Sequence, residues 1–380
     1  MDSLLLAHRR FWILIVAGLL SIPAFSQLLG SAVSQSGAEQ RSLAQIPALP
    51  DNQAALLELP KKIDAFINDQ YGLRTQIMLA NALLRYTLRS SPNSSVYYGV
   101  EGWLFYNGDH GLRQVSRNPP RYDALKRFAD LLANFDSVLQ RENRRFVVAI
   151  APNKESVYQQ KLPRWLQANT GPTEYDVLFA ELAKTRIQTV DLRAVLREAA
   201  QETPVYYKTD SHWNPLGALI AYNALVSAAG QENWRVDPAI ALQPDALSFS
   251  GDLARYLGLH HYLSEPDWRL MVGNQPKNET IFNDRNIHPT RVFDYYRDGP
   301  VVLIFGDSFS NRLFKYFLSL HVSRLIWTHH NECGFNGDLV NRYQPDIVFY
   351  LPVERMIGCA DGVVPKGLVL PTQSLAPRSR

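Results

Sequence analysis

Five consecutive apolar residues, Val301 to Phe305, run directly into Gly306-Asp307-Ser308, and this stretch limits the possible folds more than any other. An uninterrupted apolar run of this length is a strand buried on both faces, which requires a sheet with helices packed on either side. Gly306 then permits a tight turn that lifts Asp307 and Ser308 out of the sheet, ahead of a helical run expected over Asn311 to Leu320. A serine at such a strand-to-helix junction has its own N–H, and those of the next turn, aimed where an oxyanion would develop. Asn311, three residues on, is a further candidate donor to that oxyanion, although an asparagine in a first helical turn is also an ordinary terminal residue.

A serine hydroxyl is a weak nucleophile until a base takes its proton, so a histidine and an orienting carboxylate are required. Lys208-Thr209-Asp210-Ser211-His212-Trp213-Asn214-Pro215 supplies them. Residues two apart in an extended segment project to one side, so Asp210 and His212 are expected to share a face, with Trp213 beside them near the site. Asn214 followed by Pro215 is a helix start, and Gly217 to Ala229 is apolar enough to be a buried helix. A lone Gly-Asp-Ser arises often by chance and a lone histidine beside tryptophan is more often structural; the combination is the signal.

Together, the GDSFS and TDSHWNPLGA motifs resemble the SGNH-like domain of the alginate O-acetyltransferase family, the AlgJ and AlgX proteins. In that family the Asp-x-His pair precedes the serine, the reverse of ordinary SGNH hydrolases, and this sequence has the permuted order. Gly102-Trp103-Leu104-Phe105-Tyr106, Ala149 to Tyr158, Gln344 to Val348 and Glu354-Arg355 look like further landmarks of the family. The resemblance implies that Asp210 is the orienting acid, His212 the base and Ser308 the nucleophile. The short chain after Arg355 makes the expected likeness closer to AlgJ than to AlgX, whose members carry an additional carbohydrate-binding domain.

The rest of the chain fits an α/β domain. Asp123–Arg141, Tyr175–Lys184 and Ala194–Gln201 read as helices, alternating with strands over Arg145–Ala151, Thr189–Leu192, Ser323–Trp327 and Ile347–Leu351. Pro204 to Lys208 is expected to be extended, and Trp234 to Asp298 reads as an irregular insertion. Strands separated by helices imply an SGNH-hydrolase-like, mostly parallel sheet flanked by helices, with ligands at the carboxyl ends of the strands. Asn153, Lys154, Tyr158, Glu354 and Arg355 fall at such ends and are candidates for substrate contact; a purely structural pairing of Arg355 with Glu354 or another acid stays open. Upstream, Leu56 to Arg89 reads as two helices split near Gly72, and Val96 to Tyr106 as a short hairpin.

His8-Arg9-Arg10 precedes an apolar run from Phe11 to Ile22 that extends more weakly to Leu29, together about 20 residues, near the length that spans a bilayer. The expected organisation is a signal anchor over residues 1–30, a Ser/Gln/Ala-rich and proline-punctuated linker over 31–55, and the SGNH-like domain over 56–380. Cleavage after Ala24-Phe25-Ser26 is the alternative to an anchor. The arginines would stay in the cytoplasm, placing the domain in the periplasm and at the inner membrane. Cys333 and Cys359 are free to pair in such a compartment or to remain separate buried thiols.

With 39 basic and 36 acidic residues the net charge is +3, no basic block stands out, and nucleic acid is not an expected partner. His260-His261 and His329-His330 are adjacent pairs without the spacing that places two ligands on one helical face, so no metal and no cofactor is expected. Export excludes acetyl-CoA as a direct donor. What the resemblance implies is an O-acetyltransferase acting on alginate or a related exopolysaccharide within a synthesis and export complex, through an acetyl-serine, with a membrane-bound O-acyltransferase as acetyl donor. An exported carbohydrate acetyl esterase using the same three residues, or a non-catalytic polysaccharide-binding component, fits the sequence as well.

Overall fold

The computed structural model describes residues 41–357 apart from 71–72, 92, 94, 110, 117–118, 168–170, 283–287 and 332–336, together with residues 6, 8–18, 21 and 35–36. The chain divides into two units, residues 1–93 with 255–262, and residues 94–254 with 263–380.

The second unit is built on a seven-stranded sheet. In chain order its strands are β1 (Arg145–Ala149), β2 (Gln188–Val190), β3 (Asn278–Phe282), β4 (Thr290–Asp294), β5 (Val301–Gly306), β6 (Arg324–His329) and β7 (Ile347–Leu351). They lie in the order β2-β1-β7-β5-β6-β4-β3. The pairings from β2 across to β6 are parallel, and β4 runs antiparallel to both β6 and β3. The fold is therefore α/β with a mostly parallel sheet, as the sequence predicts.

Why the central strands are apolar throughout is plain from their side-chain alternation. Val147, Ala149, Val302, Ile304 and Phe349 enter one apolar cluster, and Phe146, Val148, Leu303, Phe305 and Tyr350 the other. Helices α1 (Tyr122–Arg141) and α2 (Glu174–Leu182) contribute to the second cluster, α3 (Leu192–Ala199) and α4 (Pro215–Ala228) to the first. Helix α4 starts where the sequence places it: the Asn214 side chain accepts the Gly217 N–H at 2.9 Å and Pro215 fills the first helical position. The expected hairpin forms from Val96–Tyr98 and Leu104–Tyr106.

Two expectations are corrected. The stretch from Trp234 to Asp298 is not an irregular insertion, for it supplies β3, β4 and an antiparallel pair formed by Leu242–Phe249 and Glu265–Leu270. Edge strands with one solvated face carry polar residues, as Asn278 and Glu279 do in β3, and this hides them from a search for apolar runs. The helix expected over Asn311 to Leu320 is instead two short ones, α5 (Ser308–Asn311) and α6 (Phe314–Leu318). Asp307 caps α5, so it begins at Ser308; a turn at Arg312-Leu313 then carries Phe314 and Phe317 against Tyr222 of α4, with ring centroids 5.8 and 5.1 Å away.

In the first unit the two expected helices are Gln53–Gln70 and Arg74–Thr87. The end of the expected linker is fastened to the first of them, since the Ala44 N–H donates to Asp69 at 2.8 Å and the Gln70 amide donates to the Ala44 carbonyl at 3.0 Å. Among the described residues no helix is long and apolar enough to cross a membrane. Most of the expected anchor, and Cys333 and Cys359, lie outside the described residues.

Phe305 on β5 is fully buried and meets Phe135 of α1 edge-on at 6.2 Å. Phe305→Ala is expected to cost about 3–5 kcal/mol of unfolding free energy, read as a lower urea midpoint at unchanged slope. A loss below about 1 kcal/mol would contradict burial of this strand on both faces.

Candidate active site

Strand β5 ends at Gly306, where an added Cβ would stand 2.1 Å from Ser310 Oγ; glycine leaves that space to the Ser310 hydroxyl, which accepts the Trp327 indole N–H at 3.0 Å. Asp307 then fixes the turn. Its Oδ1 accepts the Phe309 N–H at 2.9 Å, its Oδ2 accepts the Val353 N–H at 2.6 Å, and His330 Nε2 stands 3.4 Å from Oδ2. Burial alone would raise this carboxyl, but His330 and the Phe309 N–H outweigh it and hold the pKa below the usual carboxylate value. The result is an exposed Ser308 on a turn whose Gly306 and Asp307 are buried.

Ser308 Oγ lies 2.8 Å from His212 Nε2, and His212 Nδ1 lies 2.7 Å from Asp210 Oδ1. A carboxylate at Nδ1 fixes the tautomer with its proton there, which leaves Nε2 to accept from the serine. Asp210 and His212 do not meet through strand pleating as the sequence predicts. The segment bends, and Asp210 Oδ1 accepts the His212 N–H at 2.8 Å as well as the ring, a local side-chain-to-backbone turn. Its Oδ2 accepts the Asp252 N–H at 2.9 Å. Burial would raise the Asp210 carboxyl, but the bonds from His212 and Asp252 outweigh it and hold it well below the usual range.

The oxyanion donors differ in part from expectation. The N–H groups of Phe309, Ser310 and Asn311 all bond to Asp307, so these three are not free to donate to an oxyanion. Among the described residues the Ser308 N–H has no partner, nor does the half-buried side chain of Asn311, which lines the cleft beside Ser308. That cleft has a volume of about 870 Å³, and Trp268, Tyr316, Arg291, Arg312 and Lys315 also line it.

Of the other residues singled out from sequence, Trp213 reaches the cleft wall; its indole N–H donates to the Phe309 carbonyl at 3.1 Å and its ring meets Phe309 edge-on at 5.0 Å. Asn153, Lys154 and Tyr158 do not line the cleft: each is buried and makes internal bonds, although Asn153 Oδ1 is left without a partner among the described residues. The Asn153 N–H donates to Glu354 at 2.8 Å, Lys154 Nζ donates to loop carbonyls, and Tyr158 OH accepts the Val205 N–H at 2.9 Å. Glu354 is itself buried and also accepts from Ser156 at 2.7 Å. Arg355 stands off the cleft with its Nε 3.5 Å from Asp109 and its guanidinium over the Tyr106 and Phe309 rings, not paired with Glu354.

Asp210, His212 and Asp252 offer ligand atoms within 4.8 Å of one another. Each carboxylate oxygen and His212 Nε2 already has a hydrogen-bond partner, Asp252 accepting the Ser211 N–H at 2.7 Å and the Ser211 hydroxyl at 2.6 Å. The donor set therefore reads as a hydrogen-bonded relay.

A parallel α/β sheet with a serine, a histidine and an aspartate in hydrogen-bond line at its carboxyl edge defines an SGNH-like domain. Residues 96–341, well over half of the chain, match the family described as SGNH hydrolase-like domain, acetyltransferase AlgX, and the chain belongs to that family. It is similar to the probable alginate O-acetylase AlgJ of Pseudomonas aeruginosa, at 26% identity over 247 residues covering 64% of this chain and 61% of that protein. The AlgJ of Pseudomonas syringae pv. tomato is 25% identical over 221 residues, 54% of each chain. The chain thus spans between half and two thirds of the length of these curated relatives. Bacillus cereus PatB1, solved with a sulfonyl adduct, shares the fold with a TM-score of 0.50 at 14% identity, over 70% of this chain and 95% of that one.

Sequence reasoning missed Asp252 and Glu265, because both hold the Asp210 loop from the stretch read as irregular. Glu265 accepts the N–H groups of Lys208 and Thr209, each at 2.8 Å. Gly251 was a signal that could have been used: a Cβ there would stand 2.4 Å from both the Thr209 carbonyl oxygen and Asp210 Cβ. Gly251→Ala is therefore expected to displace Asp210 and slow labelling of Ser308 by a serine-reactive phosphonate about 10²-fold, with the far-UV circular dichroism unchanged. Wild-type labelling of that variant would contradict the close approach.

Proposed function

We propose that this chain is an O-acetyltransferase that carries an acetyl group on Ser308 and passes it to a hydroxyl of an exported polysaccharide. The observation that carries this reading is the unbroken line from Asp210 through His212 to the exposed Ser308 hydroxyl, at 2.7 and 2.8 Å. His212 Nε2 takes the Ser308 proton as Oγ attacks the acetyl carbonyl; the donor's leaving group departs with that proton. A sugar hydroxyl then gives its proton to Nε2 and attacks the acetyl-serine, and His212 returns the proton to Ser308 Oγ. Asp210 stabilises the imidazolium in both halves. The Ser308 N–H and the Asn311 amide receive the charge on the tetrahedral oxygen.

The cleft composition supports a polysaccharide acceptor. Trp268 and Tyr316 in its wall suit sugar rings, while Arg312 and Lys315, beside Arg291 paired with Glu279 at 3.1 Å and the carboxylates of Asp252 and Asp267, suit an acidic chain such as alginate, the polymer named for the curated relatives. The charged and then apolar start of the chain supports export to the periplasm and anchoring at the inner membrane. In that compartment a membrane-bound O-acyltransferase of the same polysaccharide complex supplies the acetyl group.

With an activated acetyl ester as donor, Ser308→Ala and His212→Ala are each expected to lower turnover by roughly 10⁴-fold or more, and Asp210→Asn by about 10⁴-fold. Wild-type turnover by Ser308→Ala would rule the reading out. Mass analysis of added glycans should find acetyl groups on them; free acetate with unmodified glycans would make the protein an esterase instead. Asn311→Ala should lower the rate constant for turnover about 10²-fold with little change in KM, and an unchanged rate would remove it from the oxyanion site.

A further inference from the structure

Lys154 is 1% exposed, and the mechanism above leaves it without a task. Burying a lysine costs several kcal/mol unless its charge and its three donors are matched. Here they are matched by carbonyls alone: Nζ donates to Tyr207 at 3.1 Å, Lys208 at 3.2 Å and Asp210 at 2.6 Å. Among the described residues it forms no ion pair. The remaining carbonyl of this run, that of Thr209, accepts the N–H groups of Leu253 and Ala254, each at 3.1 Å. One ammonium therefore gathers three of four successive carbonyls leading into Asp210, in a segment outside any strand ladder whose one bond to a strand is the Leu104 N–H on the Lys208 carbonyl at 3.0 Å.

We propose that Lys154 is a positioning residue: its ammonium fixes the backbone of residues 207–210 so that the Asp210 carboxylate meets His212, and the site is competent only while Lys154 is protonated. The proposal rests on the reading of Ser308 as nucleophile. A neutral amine has two donors and a lone pair, so deprotonation breaks at least one of the three bonds and turns a lone pair toward a carbonyl. The loop then loosens around Asp210.

The groups facing Lys154 come from every element packed on it. Glu155 is its neighbour in the chain, Trp103 and Phe105 of the hairpin place their rings 5.8 and 5.3 Å from Nζ, and the loop brings the Asp210 carboxylate. Asp252 and Glu265 add negative charge from further along the chain, and Arg355 lies across the same small cavity. Burial dominates and lowers the Lys154 pKa from 10.5 to about 8, against the opposing pull of those carboxylates. The linkage has a usable sign. Between about 8 and 10.5 the unfolded chain holds this proton more tightly than the folded one, so the Lys154 contribution to stability rises with pH across the window where reactivity falls.

The test is the rate of phosphonate labelling of Ser308 in the full chain, at saturating and limiting reagent, from pH 6 to 10, for wild type, Lys154→Met, Lys154→Arg and Ser308→Ala. The wild-type rate is expected to fall about tenfold between pH 7 and pH 9, reversibly and with unchanged circular dichroism. Lys154→Met should label about 10²-fold more slowly at pH 7, with the half-saturating reagent concentration unchanged and no fall at alkaline pH. Lys154→Arg, whose charge does not titrate, should recover rate over the methionine variant and stay flat to pH 9. Overturning results are a wild-type rate that is level from pH 7 to 9, which decides the matter even if both Lys154 variants fail to fold, a folded Lys154→Met labelled like wild type, or the same alkaline fall in Lys154→Arg. Labelling of Ser308→Ala at the wild-type rate would instead overturn the reading of Ser308 itself.

Discussion

Backbone polar groups in a buried segment must be paired, and the run from Tyr207 to His212 has no neighbouring strand along its length to pair them. Most of its partners are side chains drawn from across the domain, beside the Leu104 N–H on the Lys208 carbonyl at 3.0 Å and the Leu253 and Ala254 N–H groups on that of Thr209, each at 3.1 Å. Lys154 takes carbonyls, Glu265 takes the N–H groups of Lys208 and Thr209, Asp252 takes that of Ser211, and Asp210 takes that of His212. Satisfying this one loop therefore fixes the placement of Asp210 and His212, and it explains why charged residues are buried around it.

The other half of the site is held by the sheet itself. β5 lies between β6 and β7 in parallel register, and its last residue has no room for a side chain. Asp307 spans from α5 to the segment after β7, tying the nucleophile turn to the neighbouring strand. Trp213 joins the two halves by donating to the Phe309 carbonyl, one residue past Ser308. Loop and turn thus meet at the histidine–serine hydrogen bond and at the packing of His212 and Trp213 on Phe309.

How much of this was legible follows from whether the signal is local. The β5 run, Gly306, the Asn214-Pro215 helix start and the Asp210, His212 and Ser308 candidates are contained in short motifs, and each was readable. Asp252 and Glu265 were not, because their partners lie far back in the chain and the one nearby mark, Gly251, does not say which segment approaches it. Lys154, Asn153 and Tyr158 sit near the carboxyl ends of the sheet as expected, yet burial turns them inward to hold loops. The edge strand β3 and its antiparallel neighbour β4 mix polar with apolar residues, and neither carries the long apolar run that marks a strand buried on both faces.

The central claim is that an acetyl group passes through the Ser308 hydroxyl, and peptide mass spectrometry of the protein quenched during turnover of an activated acetyl ester tests it most directly. The account expects an acetylated peptide containing Ser308, lost when an accepting glycan is added and absent from Ser308→Ala. Turnover with no acetyl on that peptide, or acetylation at another residue that proceeds as fast in Ser308→Ala, would contradict it.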